Sequence, residues 1–290
     1  MSKRILVAGA SSILGRHIID ILKSRNYHVR ALTRQNPDKS KLQGLADEVV
    51  QGDAFTGSGL DDAMEGMDFI ISSVGASLQP KFGYGRQSYG LFDVRSNRNL
   101  IAAAKKHKVI KMGYVGLNAA ERFLHLDYAR AHHTVAQELA DSGLEYAVIR
   151  PNGFFSGFAT FLEMGRKGKV PLFGTGDSLN NPIHDRDVAE ACVNALEGDI
   201  PVIDVGGPDI MTRREIVDLV FTTLNREPQI QNVSPKLLHG ASLALRAFHP
   251  RISHLLKFAA TVSVEDVVAP TTGSLHLRDY FAELQSAAKP

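Results

Sequence analysis

The 290-residue chain holds one cysteine, no tryptophan and few aromatic residues, 7% in all. A lone thiol, Cys192, cannot form an internal disulfide, and such cysteine usage fits a reducing compartment. Cys192 lies in the apolar run 188–193, which reads as a helix carrying a buried, inert thiol. Charge of one sign is scarce as well: 33 Lys and Arg stand against 31 Asp and Glu, a formal +2. So small an excess carries no field for nucleic acid. No apolar run reaches the length that spans a bilayer, and too few residues precede the first strand for a signal peptide. The expectation is a soluble, cytoplasmic protein with a small-molecule partner, no nucleic acid, no membrane insertion and a monomeric or homodimeric state. Low-complexity segments and short repeats are missing too. Adjacent His132 and His133 diverge on a helix, so no metal site is expected.

What is present is ample apolar material, 44% of the chain, enough for one large α/β domain or for a domain with a small lobe. Strand-like segments at 5–8, 28–33, 48–51, 68–73, 109–115 and 144–150 alternate with helical ones, among them 91–106 and 127–141. That order predicts an α/β fold, a doubly wound parallel sheet covered by helices. After Pro151 the alternation loosens, and Phe154, Phe155, Phe158 and Phe161 cluster among glycines. Asp187 reads as the N-cap of a helix through Leu196, and 202–205 as a further strand. Thr212 caps a helix through Leu224, with Glu215 at the capping-box position. The tail from Ser234 is helical and apolar on one face, broken at Pro250. Residues 1–150 are expected to form a nucleotide-binding core. Residues 151–290 are expected to complete it and to form a small lobe over the sheet's carboxyl edge, where ligands of such folds bind.

Residues 4–16 read Arg-Ile-Leu-Val-Ala-Gly-Ala-Ser-Ser-Ile-Leu-Gly-Arg. A strand runs into a turn at Gly9 and then into a helix with Leu14, Ile18 and Leu22 on one face. Gly9, Ser12 and Gly15 take the three positions of the dinucleotide fingerprint, with serine in the middle. Backbone amides over Ser11, Ser12, Ile13, Leu14 and Gly15 would face a pyrophosphate, helped by the helix dipole. Gly9 lets the turn form, and Gly15 lets the helix pack close to the sheet. The same pattern also describes a strand–turn–helix joint with no ligand; its place in the first βα unit favours binding.

Other segments share one likeness with this turn: Gly52-Asp53, Ser73-Val74-Gly75-Ala76, Ser142-Gly143-Leu144-Glu145-Tyr146, Ile149-Arg150-Pro151-Asn152-Gly153-Phe154 and Pro182-Ile183-His184-Asp185-Arg186-Asp187-Val188-Ala189. In order and spacing the chain resembles the short-chain dehydrogenase/reductase superfamily, in its atypical NmrA-like NAD(P)-binding branch. The resemblance covers most of the chain. It implies a Rossmann-type core, a bound nicotinamide dinucleotide and a small C-terminal substrate lobe. It also implies adenine contacts by Asp53 and its neighbour Ala54, where a turn-forming aspartate is the equal alternative. Ser73, Val74 and Gly75 end the fourth strand, where backbone passes the adenosine ribose. A carboxylate at the end of the second strand would favour NAD; that place reads Leu32-Thr33-Arg34. The Arg34 guanidinium matches a 2′-phosphate in charge and fork geometry, and Arg16 adds a second cation, so NADP is favoured with NAD possible. Each arginine also reads as a solvated surface cation.

The superfamily's machinery is a tyrosine, a lysine four residues later, and a serine after the fifth strand. Tyr128 and position 132 have that spacing, but the second residue is His132, and Gly116 stands where the serine is expected. Forming phenolate from an ordinary tyrosine at pH 7 costs about 4 kcal/mol, and a histidine that is only partly charged supplies a weak, pH-dependent field against that cost. Alcohol oxidation through phenolate is therefore disfavoured, and reduction of an activated acceptor asks less. In relatives, the segment from Asn152 through Phe154 and Phe155 lies between nicotinamide and substrate. Those phenylalanines with Phe158 suggest an aromatic-lined pocket; ordinary core packing is the alternative. The loop Gly83-Tyr84-Gly85-Arg86 reads as a lid or a long connection, and His184 and Asp187 as structural. The expected function is an NAD(P)H-dependent oxidoreductase acting on a small apolar carbonyl, enone or quinone. The alternatives are a non-catalytic NAD(P)-binding redox sensor and an assembly factor.

Overall fold

The computed structural model describes residues 2–34, 42, 44–76, 78 and 87–288. In chain order come β1 (Arg4–Ala8), α1 (Ile13–Ser24), β2 (His28–Thr33), β3 (Glu48–Gln51), α2 (Leu60–Met64), β4 (Phe69–Ser72) and α3 (Tyr89–Lys106). Next are β5 (Lys111–Val115), α4 (Asp127–Ala140), β6 (Glu145–Pro151), α5 (Phe155–Arg166), β7 (Val170–Phe173) and β8 (Leu179–Asn180). The chain continues through α6 (Asp185–Glu197), β9 (Val202–Val205), β10 (Met211–Thr212), α7 (Arg213–Leu224) and β11 (Ile230–Val233). It ends with α8 (Pro235–Leu245), α9 (Pro250–Val262) and α10 (Leu277–Ala287).

A seven-stranded parallel sheet runs in the order β3-β2-β1-β4-β5-β6-β9. The strand order reverses direction between β1 and β4, which is the switch point where ligands of open α/β sheets bind. Every residue of β4 and of β5 is buried, as expected of strands covered on both faces. Helix α1 follows the same logic: Leu14, Ile18, Ile19 and Leu22 are buried against the sheet. The fold is therefore the α/β, Rossmann-type doubly wound arrangement that the strand–helix alternation predicts.

The chain divides into two compact units. The first comprises Met1–Ala76, Tyr89–Arg150 and Val188–Ile203, and the second Ser77–Ser88, Pro151–Asp187 and Asp204–Pro290. Within the second, α5, α7 and α10 share a core of Phe155, Leu162, Ile216, Val220, Phe221, Leu277 and Phe281. Two short sheets, β10 with β8 and β11 with β7, complete it. Asparagine amides tie its loops together. Asn152 Nδ2 donates to Asn181 Oδ1 and to the Val267 carbonyl, both at 2.7 Å. Asn181 Nδ2 donates to the Ala269 carbonyl at 2.8 Å.

Local expectations differ from the structure at three places. Helix α6 begins at Asp185, so Asp187 stands inside its first turn and is not the N-cap. Its carboxylate instead accepts the N–H groups of Ser274 (3.0 Å) and Leu275 (3.1 Å), a distant partner that no local pattern reveals. Pro250 does not only break the tail: it opens α9 at its first turn, with His249 capping the Ile252 N–H, where the missing proline donor is harmless. Pro151 is the last residue of β6. The loop at 83–86 lies outside the described residues. The capping box at Thr212 and Glu215 forms as expected, with the Glu215 N–H donating to Thr212 Oγ1 at 3.1 Å and the Thr212 N–H to Glu215 Oε2 at 2.7 Å. Thr212→Ala should destabilise the protein by about 1 kcal/mol, read as a lower thermal midpoint, with Thr212→Ser close to the parent.

Candidate functional site

Because the strands are parallel, the segments that follow β1 to β5 all leave the same edge of the sheet. That edge gathers Gly9, Arg34, Asp53, Ser73 and Gly116 in the first unit. At the switch point, Gly9 adopts φ +88°, and a Cβ there would fall 2.4 Å from Ser73 Oγ and 3.0 Å from the Ser73 backbone. Gly15 is tighter still: its Cβ would lie 2.3 Å from the Gly9 carbonyl oxygen and 2.8 Å from Ala10 Cα. The close approach that Gly15 permits is thus to the turn itself, a correction to the expectation of contact with the sheet. The turn folds back on the helix start because neither glycine carries a side chain.

This tight turn leaves an open helix end. Ser12 is the N-cap of α1, and its Oγ accepts the Gly15 N–H at 2.9 Å. The Arg16 N–H is held by the Ser12 carbonyl and the Ser12 N–H by the Gly9 carbonyl. The N–H groups of Ile13 and Leu14 precede the helical ladder and meet no partner among the described residues, the kind of helix end that suits an anion. Ser11, Ser12 and Ile13 are exposed beside them, and Leu14 is turned into the core. Ser12 offers its own hydroxyl proton as a further donor. The Arg16 guanidinium bends back to the Ser11 carbonyl at 3.0 Å. Arg34 directly follows β2 and is exposed. A helix end with open amides and an N-cap hydroxyl beside them suits the diphosphate of a dinucleotide.

Two further loops at this edge are braced by α3. Asp93 and Asn97, four residues apart and fully buried, face the segment after β4. Asp93 Oδ1 accepts the Ala76 N–H at 2.6 Å, and Asn97 Nδ2 donates to the Val74 carbonyl at 3.1 Å. Ser72 Oγ in turn donates to Asn97 Oδ1 at 2.6 Å. These bonds set the path of Val74 and Gly75. Asn99 Nδ2 reaches the carbonyls of Ala54 (2.8 Å) and Phe55 (3.1 Å), and Phe92 stacks on Phe55. Asp53 itself makes a local turn, its Oδ1 accepting the Phe55 N–H at 2.8 Å. No local motif marks Asp93, Asn97 and Asn99; their signal in the sequence is a row of polar residues inside a helix that also carries Val94, Leu100 and Ile101.

Tyr128 and His132 share one face of α4 as their spacing predicts, with ring centroids 4.6 Å apart. Tyr89 packs edge-on against Tyr128 at 5.1 Å. On β5, Tyr114 is completely buried, and its hydroxyl lies 2.7 Å from His132 Nδ1. A buried phenol must donate its proton, and Nδ1 is the hydrogen-bond partner within reach among the described residues. The imidazole is therefore an Nδ1 acceptor with its proton on Nε2. That Nε2 is buried and meets no partner among the described residues; His132 borders a small recess with Gly116, His133, Val148 and Arg150. Burial pulls the His132 pKa down to about 4, so the ring is neutral at pH 7. The partly charged histidine expected from sequence is corrected here: desolvation removes its field. Burial, with the charge of Asp93 and the neighbouring Tyr89 hydroxyl, raises the Tyr128 pKa well above the ordinary tyrosine value. Tyr128 stays a phenol.

Other candidates are placed as follows. Gly116 is buried, its N–H is held by the Ile149 carbonyl at 2.7 Å, and a Cβ would sit 3.2 Å from Val148 Cγ1; a side chain at this position is crowded. In the second unit, the Asn152 amide hydrogens are both engaged, and its Oδ1 accepts the Gly153 N–H at 3.0 Å. Its side chain is a brace. Phe154 and Phe158 are half-buried. Phe155 is 1% exposed and packs on His184 and Tyr280; it is a core residue and does not line a surface pocket, since the first turn of α5 points it inward. Cys192 is buried and its thiol is pushed up to about 12 by desolvation, the inert state expected.

Residues 9–199 match the model of a family described as NAD(P)H-binding. The match exceeds half the chain, and the chain belongs to that family. Over 300 residues it is 27% identical to the (4-alkanoyl-5-oxo-2,5-dihydrofuran-3-yl)methyl phosphate reductase of Streptomyces griseus, covering 99% of each chain. It is 25% identical over 251 residues to the chloroplastic divinyl chlorophyllide a 8-vinyl-reductase of Cucumis sativus, covering 79% of this chain and 59% of that longer one. The Escherichia coli NADPH-dependent quinone oxidoreductase QOR2, solved with NADPH, shares the fold with a TM-score of 0.72 at 20% identity, over 97% of this chain and 99% of that one.

The His132 environment sets a pH dependence. The unfolded histidine takes up a proton near pH 6.5 and the folded one only near pH 4, so its contribution is intact above pH 6.5 and is lost as pH falls toward 4, by about 3 kcal/mol in all. In urea unfolding at pH 7 and at pH 4.5, His132→Gln should lose less stability between the two than the parent protein.

Proposed function

We propose that the protein is an NADPH-dependent reductase of a small apolar enone, quinone or carbonyl compound. The observation that carries this reading is the family match laid over a β1–α1 turn whose Ile13 and Leu14 amides stay open. Two relatives named as reductases, and a fold neighbour named as a quinone oxidoreductase, support reduction as the direction.

A bound reduced nicotinamide supplies a hydride to an electrophilic carbon of the acceptor. The chain's own residues do the rest. The helix-end amides and the Ser12 hydroxyl hold the diphosphate, Arg34 pairs with the adenosine 2′-phosphate, and Asp53, Ala54 and the braced segment Ser73–Gly75 border the adenosine. Tyr128, kept protonated by burial, donates a hydrogen bond to the acceptor oxygen that gains the electron pair, and solvent water delivers the proton. The balance is one hydride and one proton added per acceptor. Of the aromatic residues suggested for substrate, Phe154 and Phe158 keep accessible ring surface. Cytoplasmic residence, a monomeric or homodimeric state and a place in the NmrA-like branch belong to the same proposal.

One observation favours a second reading. A neutral His132 and a crowded Gly116 leave two of the three usual superfamily positions without their usual chemistry, which suits a cofactor sensor that binds without turnover. NADPH consumption across a panel of quinones and enones decides between them: turnover supports the reductase, and tight binding with none supports the sensor. Arg34→Ala should weaken NADPH about tenfold or more while leaving NADH nearly unchanged by calorimetry; equal losses would remove the 2′-phosphate assignment. Tyr128→Phe should slow reduction about a hundredfold with cofactor affinity retained, measured in single turnovers.

A further inference from the structure

Helix α8 carries apolar residues outward as well as inward, where Leu238 and Leu245 are half-buried. Ser242 is the one buried residue of α8, whereas Leu237 is 69% exposed, Leu243 70%, and Phe248, just past the helix, 73%. Between the two helices lie small polar contacts: Ser253 Oγ donates to the Ser242 carbonyl at 2.7 Å. Lys236, Leu237, Gly240, Leu243, Ala244, Ala247 and Phe248 are the exposed positions along this stretch with Arg246, and their three- and four-residue spacing makes one outward ridge. A surface helix ordinarily carries polar groups on its outward face. A contiguous apolar ridge of this kind marks an interaction surface.

Charge says what kind. No Asp or Glu occurs between Glu227 and Glu265, while Lys236, Arg246, Arg251 and Lys257 do. Arg251 is buried and donates to the Gln87 carbonyl at 3.0 Å, so it is not part of the surface. Lys236 adjoins Leu237, and Arg246 stands three residues past Leu243, on the same face. Exposed leucines and a phenylalanine flanked by cations, with no acid in the segment that carries them, match the chemistry of an anionic lipid surface: acyl boundary for the apolar groups, phosphate for the cations. A second copy of the chain, docked ridge to ridge about a two-fold axis, would bring like charges together. No helix among the described residues is long and apolar enough to cross a membrane, so the contact is one of lying on the surface.

We propose that the α8–α9 ridge docks the protein on anionic lipid bilayers through Leu237, Leu243 and Phe248, with Lys236 and Arg246 on the lipid phosphates. The test is flotation of the full chain with phosphatidylcholine vesicles and with vesicles of phosphatidylcholine and phosphatidylglycerol in equal parts. Binding to the mixed vesicles, little to phosphatidylcholine alone, and weakening by added salt are expected. L243S combined with F248S should lower binding by about tenfold or more, and Arg246→Gln by about fivefold. All three side chains are exposed, so the variants should keep the parent circular dichroism and cofactor affinity, which makes the result independent of the proposed reaction. Failure of the parent to bind the mixed vesicles, equal binding to both vesicle types, or undiminished binding by L243S/F248S would overturn the proposal. So would a dimer in sedimentation velocity that the double variant dissociates, since the ridge would then be an interface between copies.

Discussion

The approach of Gly15 to the Gly9 carbonyl, too close for any Cβ, is the constraint on which the rest depends. It folds the chain leaving β1 straight into α1, so that the helix begins at the sheet's carboxyl edge with its first amides facing outward. The Gly9 contact with Ser73 then ties that turn to the segment leaving β4, across the point where the strand order reverses. One short sequence thereby sets both the packing of the first βα unit and the position of its open amide end. Ser12 serves the same geometry: by capping Gly15 it uses one orphan donor of the helix and leaves those of Ile13 and Leu14.

A nucleotide edge made of loops needs those loops held, and α3 does this from behind. Its buried Asp93 and Asn97 would be costly without partners; each finds them in the backbone after β4. Asn99 performs the same task for the loop after β3. Each bond satisfies a buried polar group and removes freedom from a segment that has no ladder of its own. The helix therefore combines an apolar face, which stabilises the core, with a polar row that shapes the ligand edge.

Burial, more than residue identity, decides the chemistry of the tyrosine–histidine cluster. An imidazole beside a phenol suggests a cation that eases deprotonation. Enclosed between β5 and α4, the imidazole is neutral and accepts a hydrogen bond from the Tyr114 hydroxyl. Charge in that space would need solvation that the surroundings do not supply. A phenol that remains protonated suits donation to a developing oxyanion better than abstraction of a proton from an alcohol, and that asymmetry favours reduction of activated acceptors.

The sequence by itself determined the strand–helix alternation, the Gly9–Gly15 turn, the Thr212–Glu215 capping box and the face shared by Tyr128 and His132. These depend on neighbours within a few residues, where spacing and residue type carry the physics. Tertiary structure alone decided the partner of Asp187 eighty-seven residues away, the pairing of Tyr114 with His132, the inward turn of Phe155, the bracing of the loops by α3 and the outward leucines of α8. Each of these rests on which surfaces meet across long chain separations, and burial, with the protonation that follows from it, exists only once they have met.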